Sequence, residues 1–173
     1  MPSVFAHPAV PIALACVAGR KRVSPSLMAA GLVASLLPDA DVVAFRFGIP
    51  YGAMFGHRGF FHSIFFAALA GAAAALYFRR RRAVSFLFVF ACMASHGLLD
   101  AITDGGKGIG LLAPFTAERY FFPWRPITVC SLSPRHFFSS EFWSVMLSEI
   151  KWVWAPCCLL GAIGVARRKR QRS

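Results

Sequence analysis

The residues with the greatest chemical potential in this sequence are histidines and acids at the ends of apolar segments. Imidazole and carboxylate groups together bind zinc, manganese or iron. We therefore expect a divalent metal site, most simply for zinc, with one or two ions. The candidate ligands are His7, Asp39, His57, His62, His96, Asp100 and Glu149.

The spacing of the central histidines favours a shared site. His96 and Asp100 are four residues apart, so on a helix they lie on one face and can bind the same ion. His57 and His62 are five residues apart, which is too far round a regular helix for them to stack. We expect His57 in a loop and His62 in the first turn of the next helix. A fifth histidine, His136, has no such partners and is expected in a loop.

Two carboxylates and one guanidinium are candidates for catalysis. Asp39 and Asp41 follow Pro38, where a helix is expected to fray, so both carboxylates can converge on the site. Either carboxylate could orient or deprotonate a water molecule. Arg58 could pair with an anionic substrate oxygen, although an anchor at the membrane interface is an equal alternative. Two further arginines are candidates for the same substrate contact: Arg119 and Arg125.

The elements that carry these residues are apolar. Of the 173 residues, 57% are hydrophobic and only 15% are charged, whereas a soluble domain is about 25% charged. The chain is therefore expected to be an integral membrane protein. The last three apolar segments meet or approach the roughly 20 residues of a membrane-spanning helix, and the first two are short. The segments lie at about 8–18, 26–38, 60–78, 83–101 and 150–166.

The expected fold is all-α: a polytopic membrane bundle of four to five helices, forming a single domain over residues 1–173. The stretch of about 104–148 is polar and aromatic and contains four prolines, so we expect an external loop or cap there. The basic tail at 167–173 is expected in the cytoplasm.

The net charge of +12 comes from basic clusters beside the apolar segments, at 20–22, 79–82 and 167–172. Basic residues close to spans stay in the cytoplasm. Five alternating spans then place the N-terminus, all acids and the metal site outside, and the C-terminus inside. Membrane topology alone accounts for the basic clusters, so they do not require a nucleic-acid partner and none is expected. The expected partner is the lipid bilayer.

Four motifs together resemble those of a family of bacterial inner-membrane metal-dependent hydrolases, which includes the LexA-regulated YdjM-like proteins. The resemblance covers about 7–115, and His7 matches an early histidine of the family. One departure is Phe61, where the family often has Thr. The motifs are Leu37-Pro38-Asp39-x-Asp41, Gly56-His57-Arg58-Gly59-x-x-His62-Ser63, Ser95-His96-x-x-x-Asp100-x-x-Thr103 and Gly108-Ile109-x-Leu111-Leu112-x-Pro114-Phe115.

The resemblance implies a multi-pass protein of the bacterial inner membrane. The family is also similar to zinc-dependent phospholipase C and P1-type nucleases, which hydrolyse phosphoesters with a metal cluster of His, Asp and a late Glu. The resemblance therefore implies that this protein hydrolyses a phosphoester, lipid or envelope substrate with a metal-activated water molecule. It also implies that Glu149 completes the metal cluster. The alternative for Glu149 is a solvated carboxylate at a helix start.

The rival class is a non-enzymatic membrane protein, either with a structural metal site or acting as a metal transporter. A transporter is expected to carry ionisable residues in the middle of its spans, along a path. The centres of the third and fifth apolar segments lack them, which disfavours transport.

Overall fold

The computed structural model describes residues 2–129 and 140–171. Within this part the chain is helical and contains no strand; two isolated bridges join Thr103 to Ile127 and Ile109 to Tyr120. The predicted all-helical fold is confirmed. His136, which the sequence predicts in a loop, lies outside the described residues.

Five helices are described. The first four are α1 (Ala9–Ala18), α2 (Pro25–Leu36), α3 (Ile64–Tyr77) and α4 (Arg82–Ala101). The fifth, α5, begins as Ser140–Glu149, passes through a π-helical turn at Ile150–Trp154 and ends as Ala155–Arg170. Three 3₁₀ segments occur beside them: Leu37–Phe47 after α2, Phe60–His62 before α3 and Arg79–Arg81 before α4.

Serine caps set where two of these helices begin. The hydroxyl of Ser24 accepts the backbone N–H of Leu27 at 3.2 Å. The hydroxyl of Ser63 accepts the backbone N–H of Phe66 at 3.0 Å. Such caps satisfy donors that the first helical turn leaves free. Because α3 begins directly after Ser63, its cap also fixes the position of His62.

Three helices are long and apolar enough to cross a membrane: Pro25–Phe47, Arg79–Ala101 and Glu141–Arg170. The α3 helix has 14 residues and is about 21 Å long, short of the ~30 Å hydrocarbon core. The third apolar segment, 60–78, is thus shorter than the sequence predicts, because its first residues form a 3₁₀ turn and a cap. The second is longer, because the 3₁₀ segment extends α2.

The polar stretch predicted as an external loop over 104–148 ends earlier in the structure. Residues 102–129 lie outside the helices, but α5 begins at Ser140, so residues 140–148 are helical. The prolines of the predicted loop end at Pro134, and the next is Pro156. The intervening backbone keeps all of its N–H donors, which allows the helix to start before the apolar segment.

The core of the bundle lies between α2, α3 and α4. Leu27, Ala67, Phe88 and Cys92 are buried there. A Cβ added at Gly31 would lie 2.4 Å from the Phe88 ring, so only glycine permits this approach of α2 to α4. Small residues at helix contacts are typical of membrane bundles, where close backbone packing replaces the hydrophobic effect.

The bundle has two chemically different ends. His7 precedes α1, Asp39 follows α2, His62 precedes α3 and Asp100 lies near the end of α4, and these side chains approach one another. The three basic clusters lie at the opposite helix ends. From Arg82 to His96 the rise along α4 is about 21 Å. The candidate ligands His7, Asp39, His62 and Asp100 thus share one end, as the sequence predicts.

Candidate metal centre

Four side chains from three parts of the chain meet at the acidic end of the bundle. Asp39 comes from the 3₁₀ segment after α2, His62 from the turn before α3, and His96 and Asp100 from one face of α4. One donor atom from each residue lies within 4.8 Å of the other three. We call these residues the four-donor group.

The spacing of the donors matches coordination around one ion. His62 Nε2 lies 3.1 Å from His96 Nε2 and 3.3 Å from Asp100 Oδ2. Asp39 Oδ1 lies 3.4 Å from His96 Nε2 and 3.8 Å from His62 Nε2. His96 Nε2 and Asp100 Oδ2 are 3.9 Å apart. A tetrahedral zinc ion with bonds of about 2.0–2.1 Å has ligands about 3.3 Å apart.

Three carboxylate oxygens of the four-donor group accept no hydrogen bond. Both carboxylate oxygens of Asp39 and Oδ2 of Asp100 are buried without a hydrogen bond in the described part of the chain. Burying a carboxylate without such partners costs on the order of several kcal/mol. Three carboxylates lie in this region, from Asp39, Asp41 and Asp100. Among the described residues, the guanidinium in direct contact with one of them is that of Arg58, and Arg119 interacts with Asp41 at longer range. A divalent cation fits both the free lone pairs and the charge.

A backbone carbonyl oxygen on the side away from the four-donor group orients the imidazole of His96. Its Nδ1 lies 2.7 Å from the backbone carbonyl oxygen of Ser35 and donates to it. The Nε2 atom then carries a lone pair directed into the four-donor group. Metal-bound histidines typically donate their second N–H in this way, which fixes the tautomer and the ring plane.

Asp41 lies behind His62 and outside the four-donor group. Its Oδ2 is 3.2 Å from His62 Nδ1 and accepts the backbone N–H of Arg58 at 3.0 Å. Its Oδ1 lies 2.6 Å from Nδ1 of His57. Asp41, which the sequence predicts as a catalytic carboxylate, is thus placed to orient His62. His57, predicted as a ligand, binds Asp41 and lies outside the group.

Arg58 is directed at a ligand and not at an open surface. The residue is fully buried, and Nε lies 3.2 Å from Asp100 Oδ2. Its Nη1 donates to the carbonyl oxygen of Gly105 at 2.9 Å, and its Nη2 to the hydroxyl of Thr103 at 3.2 Å. These contacts hold Asp100 in a fixed position. The roles of Arg58 in catalysis and substrate binding stay predictions.

His7 lies directly beside the group. It is fully buried, and its ring stacks on that of His96 with centroids 3.7 Å apart. Its Nε2 lies 4.0 Å from Asp39 Oδ2, and neither ring nitrogen has a hydrogen-bond partner in the described chain. Burial, together with the neighbouring His96, lowers the pKa of His7 to about 3. The neutral ring has a lone pair available for a metal ion.

The acids of the group have the opposite effect on His62. Burial disfavours the imidazolium, but the carboxylates of Asp100, Asp39 and Asp41 raise the pKa of His62 well above its usual value. Without an ion, a proton on His62 therefore offsets part of the negative charge. A metal ion and this proton compete for the same nitrogen.

Glu149 is not brought to the four-donor group. Its two oxygens accept the backbone N–H and the hydroxyl of Ser3, the latter at 2.6 Å. The alternative prediction of a solvated helix-start carboxylate is wrong, because Glu149 is 1% exposed. The observed contact ties α5 to the segment that carries His7.

The other two predicted substrate arginines also lie away from the four donors. Arg119 donates to the backbone carbonyl oxygens of Tyr51, Ala53 and His57, so its guanidinium holds together the loop before His62. Burial lowers the pKa of Arg119. Arg125 is exposed, with its guanidinium 4.8 Å from the ring centre of Phe121.

Two positioning residues, Ser35 and Gly97, were not singled out from the sequence, and a third, Thr103, was quoted only as part of a motif. Ser35 supplies the carbonyl oxygen that orients His96, and Thr103 contacts Arg58. Gly97 lies on α4 next to His96, and a Cβ there would be 2.5 Å from the carbonyl oxygen of His62. A glycine inside an apolar helix, adjacent to a candidate ligand, was the one available signal for such a close approach.

Known proteins match this sequence along nearly its whole length. A family model described as YdjM inner membrane protein matches residues 1–172. The chain is 41% identical over 164 residues to the inner membrane protein YbcI of Escherichia coli (strain K12), covering 92% of this chain and 95% of YbcI. No solved structure matches. Neither description names an activity, so the hydrolase chemistry remains a prediction.

Proposed function

The chain belongs to the YdjM inner membrane protein family, and we propose that it is a membrane-bound hydrolase that depends on a divalent metal ion. The observation that carries the proposal is the four-donor group. Its donor atoms have the mutual spacing of metal ligands, and three of the four residues are buried. Histidine and carboxylate ligands favour zinc, and manganese or iron would accept the same donors.

His7 would extend the site. Asp39 Oδ1 belongs to the four-donor group, whereas Oδ2 lies toward His7, 4.0 Å from Nε2. This distance is too long for a hydrogen bond and suits a bent bridge through a water molecule or a second ion. Bound metal lowers the pKa of water and stabilises negative charge on a phosphoryl or acyl oxygen.

The protein's own residues supply orientation in this proposal. Asp41 and Ser35 hold the rings of His62 and His96, and Arg58 holds Asp100. His7 is uncharged, so its ring can accept a hydrogen bond from a water molecule beside Asp39. The Asp39 side chain is 13% exposed although both of its oxygens are buried, so water and substrate would enter past this side chain.

A lipid or another phosphoester of the envelope is the proposed substrate. Large aromatic side chains are exposed at the same end of the bundle, among them Phe47, Phe115, Trp124 and Trp143. Such residues are typical of the membrane–water interface, where lipid head groups lie. We place this end on the outer face of the membrane, because the basic clusters at the other end favour the cytoplasm.

A structural metal site in a non-enzymatic protein is the second candidate. Its supporting observation is that four protein donors suffice to close a tetrahedral shell, as in structural zinc sites, whereas catalytic sites keep a position open. His7, whose ring nitrogens have no hydrogen-bond partner in the described chain, offers a further donor beside the group and favours catalysis. Transport is disfavoured because the donors gather at one end and not along a path.

The test combines metal analysis with an activity screen. The purified protein is measured for bound zinc, manganese and iron and then assayed on phospholipids and on a chromogenic phosphodiester. His96→Ala is expected to lose both metal and hydrolysis, whereas Ser95→Ala on the same helix keeps both. Metal bound without hydrolysis of any of these esters, combined with a lower melting temperature of His96→Ala, would favour the structural site.

A further inference from the structure

The basic end of the bundle contains two cavities that share one wall. Arg20, Lys21 and Arg22 lie between α1 and α2 and line both cavities. The first cavity, of about 600 Å³, is closed by Arg167 and Arg168 of α5. The second, of about 480 Å³, is closed by Arg79–Arg81 before α4. Three basic clusters that are distant in the sequence therefore line two adjacent cavities.

The charge in these walls is not compensated by acids. Neither cavity has an Asp or Glu among its lining residues. Like charges held this close raise the local potential and favour a bound anion. One wall is also fixed in place: Nη1 of the half-buried Arg168 donates to the carbonyl oxygens of Cys16 and Val17 at the end of α1, the latter at 2.6 Å.

An apolar groove continues from the first cavity. It has a volume of about 440 Å³ and shares Gly19, Arg20 and Arg168 with that cavity. The rest of the groove runs along α1 and α2 between apolar side chains: Ile12, Ala15, Val23, Met28, Ala29 and Leu32. A basic cavity and an apolar groove are thus continuous, and α2 belongs to a membrane-spanning helix.

We propose that this surface binds an anionic glycerophospholipid, with the phosphate between Arg20, Arg22 and Arg168 and one acyl chain in the groove. Basic cavities between membrane helices are suited to anionic lipid head groups. A nucleic acid or a free phosphate would use the charge and leave the groove empty. Membrane orientation requires basic residues, but it requires neither cavities nor a groove. The site lies at the end opposite the four-donor group and does not depend on the proposed hydrolase function.

The test is a lipid titration of the full-length protein, delipidated in a neutral detergent, followed by native mass spectrometry. The probes are phosphatidylglycerol and phosphatidylcholine with identical acyl chains. We expect tighter binding of phosphatidylglycerol, and an affinity at least about 25-fold lower in Arg20→Gln/Arg22→Gln, because each arginine would lose a direct charge-assisted contact with the phosphate. The matched control is Arg82→Gln/Lys169→Gln, which removes the same charge from exposed residues at the same end that do not line the three cavities. Its affinity should fall less than about threefold, because exposed charges outside the site act on the lipid only through screened attraction.

A second pair of variants tests the acyl groove without changing charge. Ala29→Phe fills the groove and is expected to weaken phosphatidylglycerol binding several-fold, whereas Ala72→Phe on the exposed surface of α3 should not.

Equal losses in the two charge variants would overturn the proposal in favour of diffuse attraction. Displacement of the lipid by glycerol phosphate would indicate a free phosphate ligand, and displacement by a single-stranded oligonucleotide a nucleic-acid ligand. Either displacement would also overturn the proposal.

Discussion

The guanidinium of Arg58 reaches the carboxylate of Asp100, 42 residues later in the chain, where Nη2 lies 3.3 Å from Oδ1 and Nε 3.2 Å from Oδ2. Both donors are on one edge of a planar group, so the pair fixes the carboxylate plane as well as its charge. The same Oδ2 belongs to the four-donor group. Arg58 is therefore positioned to influence, through Asp100, any ion that the four-donor group would hold.

Replacing Arg58 tests whether it positions a ligand or binds substrate. Arg58→Lys keeps the charge but loses the two-atom contact, so we expect metal affinity to fall about 10- to 100-fold, as for other residues that orient ligands. Metal affinity is measured by competition with a chromogenic chelator. Unchanged metal affinity together with a raised KM would instead assign Arg58 to the substrate.

Asp100 is predicted to be a direct ligand. Asp100→Asn keeps the shape and removes the charge, and metal affinity is expected to fall more than about 100-fold. The control is Asp104→Asn: Asp104 is exposed, accepts the backbone N–H of Val129 and lies outside the four-donor group. If both variants retain the same metal content by elemental analysis, the assignment of Asp100 is wrong.

Metal affinity should depend on pH through His62. The surrounding carboxylates raise the pKa of His62 above 6.5, so at neutral pH the metal-free site holds a proton that the ion must displace. Below this raised pKa, affinity should increase about tenfold for each unit of rising pH and then level off above it. Titration calorimetry in two buffers of different ionisation enthalpy should detect close to one released proton. A pH-independent affinity with no proton release would contradict this.

Gly97→Ala should be destabilising although alanine favours helices. The propensity gain is about 1 kcal/mol, but the new Cβ would meet the carbonyl oxygen of His62 at 2.5 Å. Shifting that backbone costs about 1–3 kcal/mol and moves a ligand. We expect a lower melting temperature and weaker metal binding, whereas Gly52→Ala, where the added Cβ meets nothing within 4 Å, should leave both unchanged.

Glu149 is expected to act through Ser3. Glu149→Gln, Ser3→Ala and the double variant should all increase amide hydrogen exchange in residues 2–8. Ser3→Ala loses the hydroxyl donor but keeps the backbone N–H that Glu149 accepts, and Glu149→Gln loses the charge and one acceptor oxygen, so the double variant should show the largest increase and less than the sum of the two single effects. The four-donor group should still bind metal in all three. A loss of metal in Glu149→Gln that is absent from Ser3→Ala would show that Glu149 is a ligand, as the family resemblance implies.

The donors on regular elements were predictable from the sequence. The helical period places His96 and Asp100 on one face, and the distribution of charge places Asp39 and His62 at the same membrane end. Both inferences depend only on helix geometry and topology, and neither requires the conformation of an individual side chain. The four-donor group consists of these four residues.

The contacts made by irregular segments were not predictable in the same way. Arg58 has a φ of 63°, uncommon for a residue other than glycine, so its side chain leaves the loop in a direction that no periodic pattern indicates. The pairing of Glu149 with Ser3 joins distant ends of the described chain. Composition and spacing carry no information about such a pair.

The link between Glu149 and Ser3 has a consequence for biosynthesis. The four-donor group lies between Asp39 and Asp100, so all of it is synthesised before α5. Ser3 must wait for a partner 146 residues later. An ion bound by the group would therefore meet its four donors while the segment carrying His7 is still untethered, and the insertion of α5 would then tether that segment beside it.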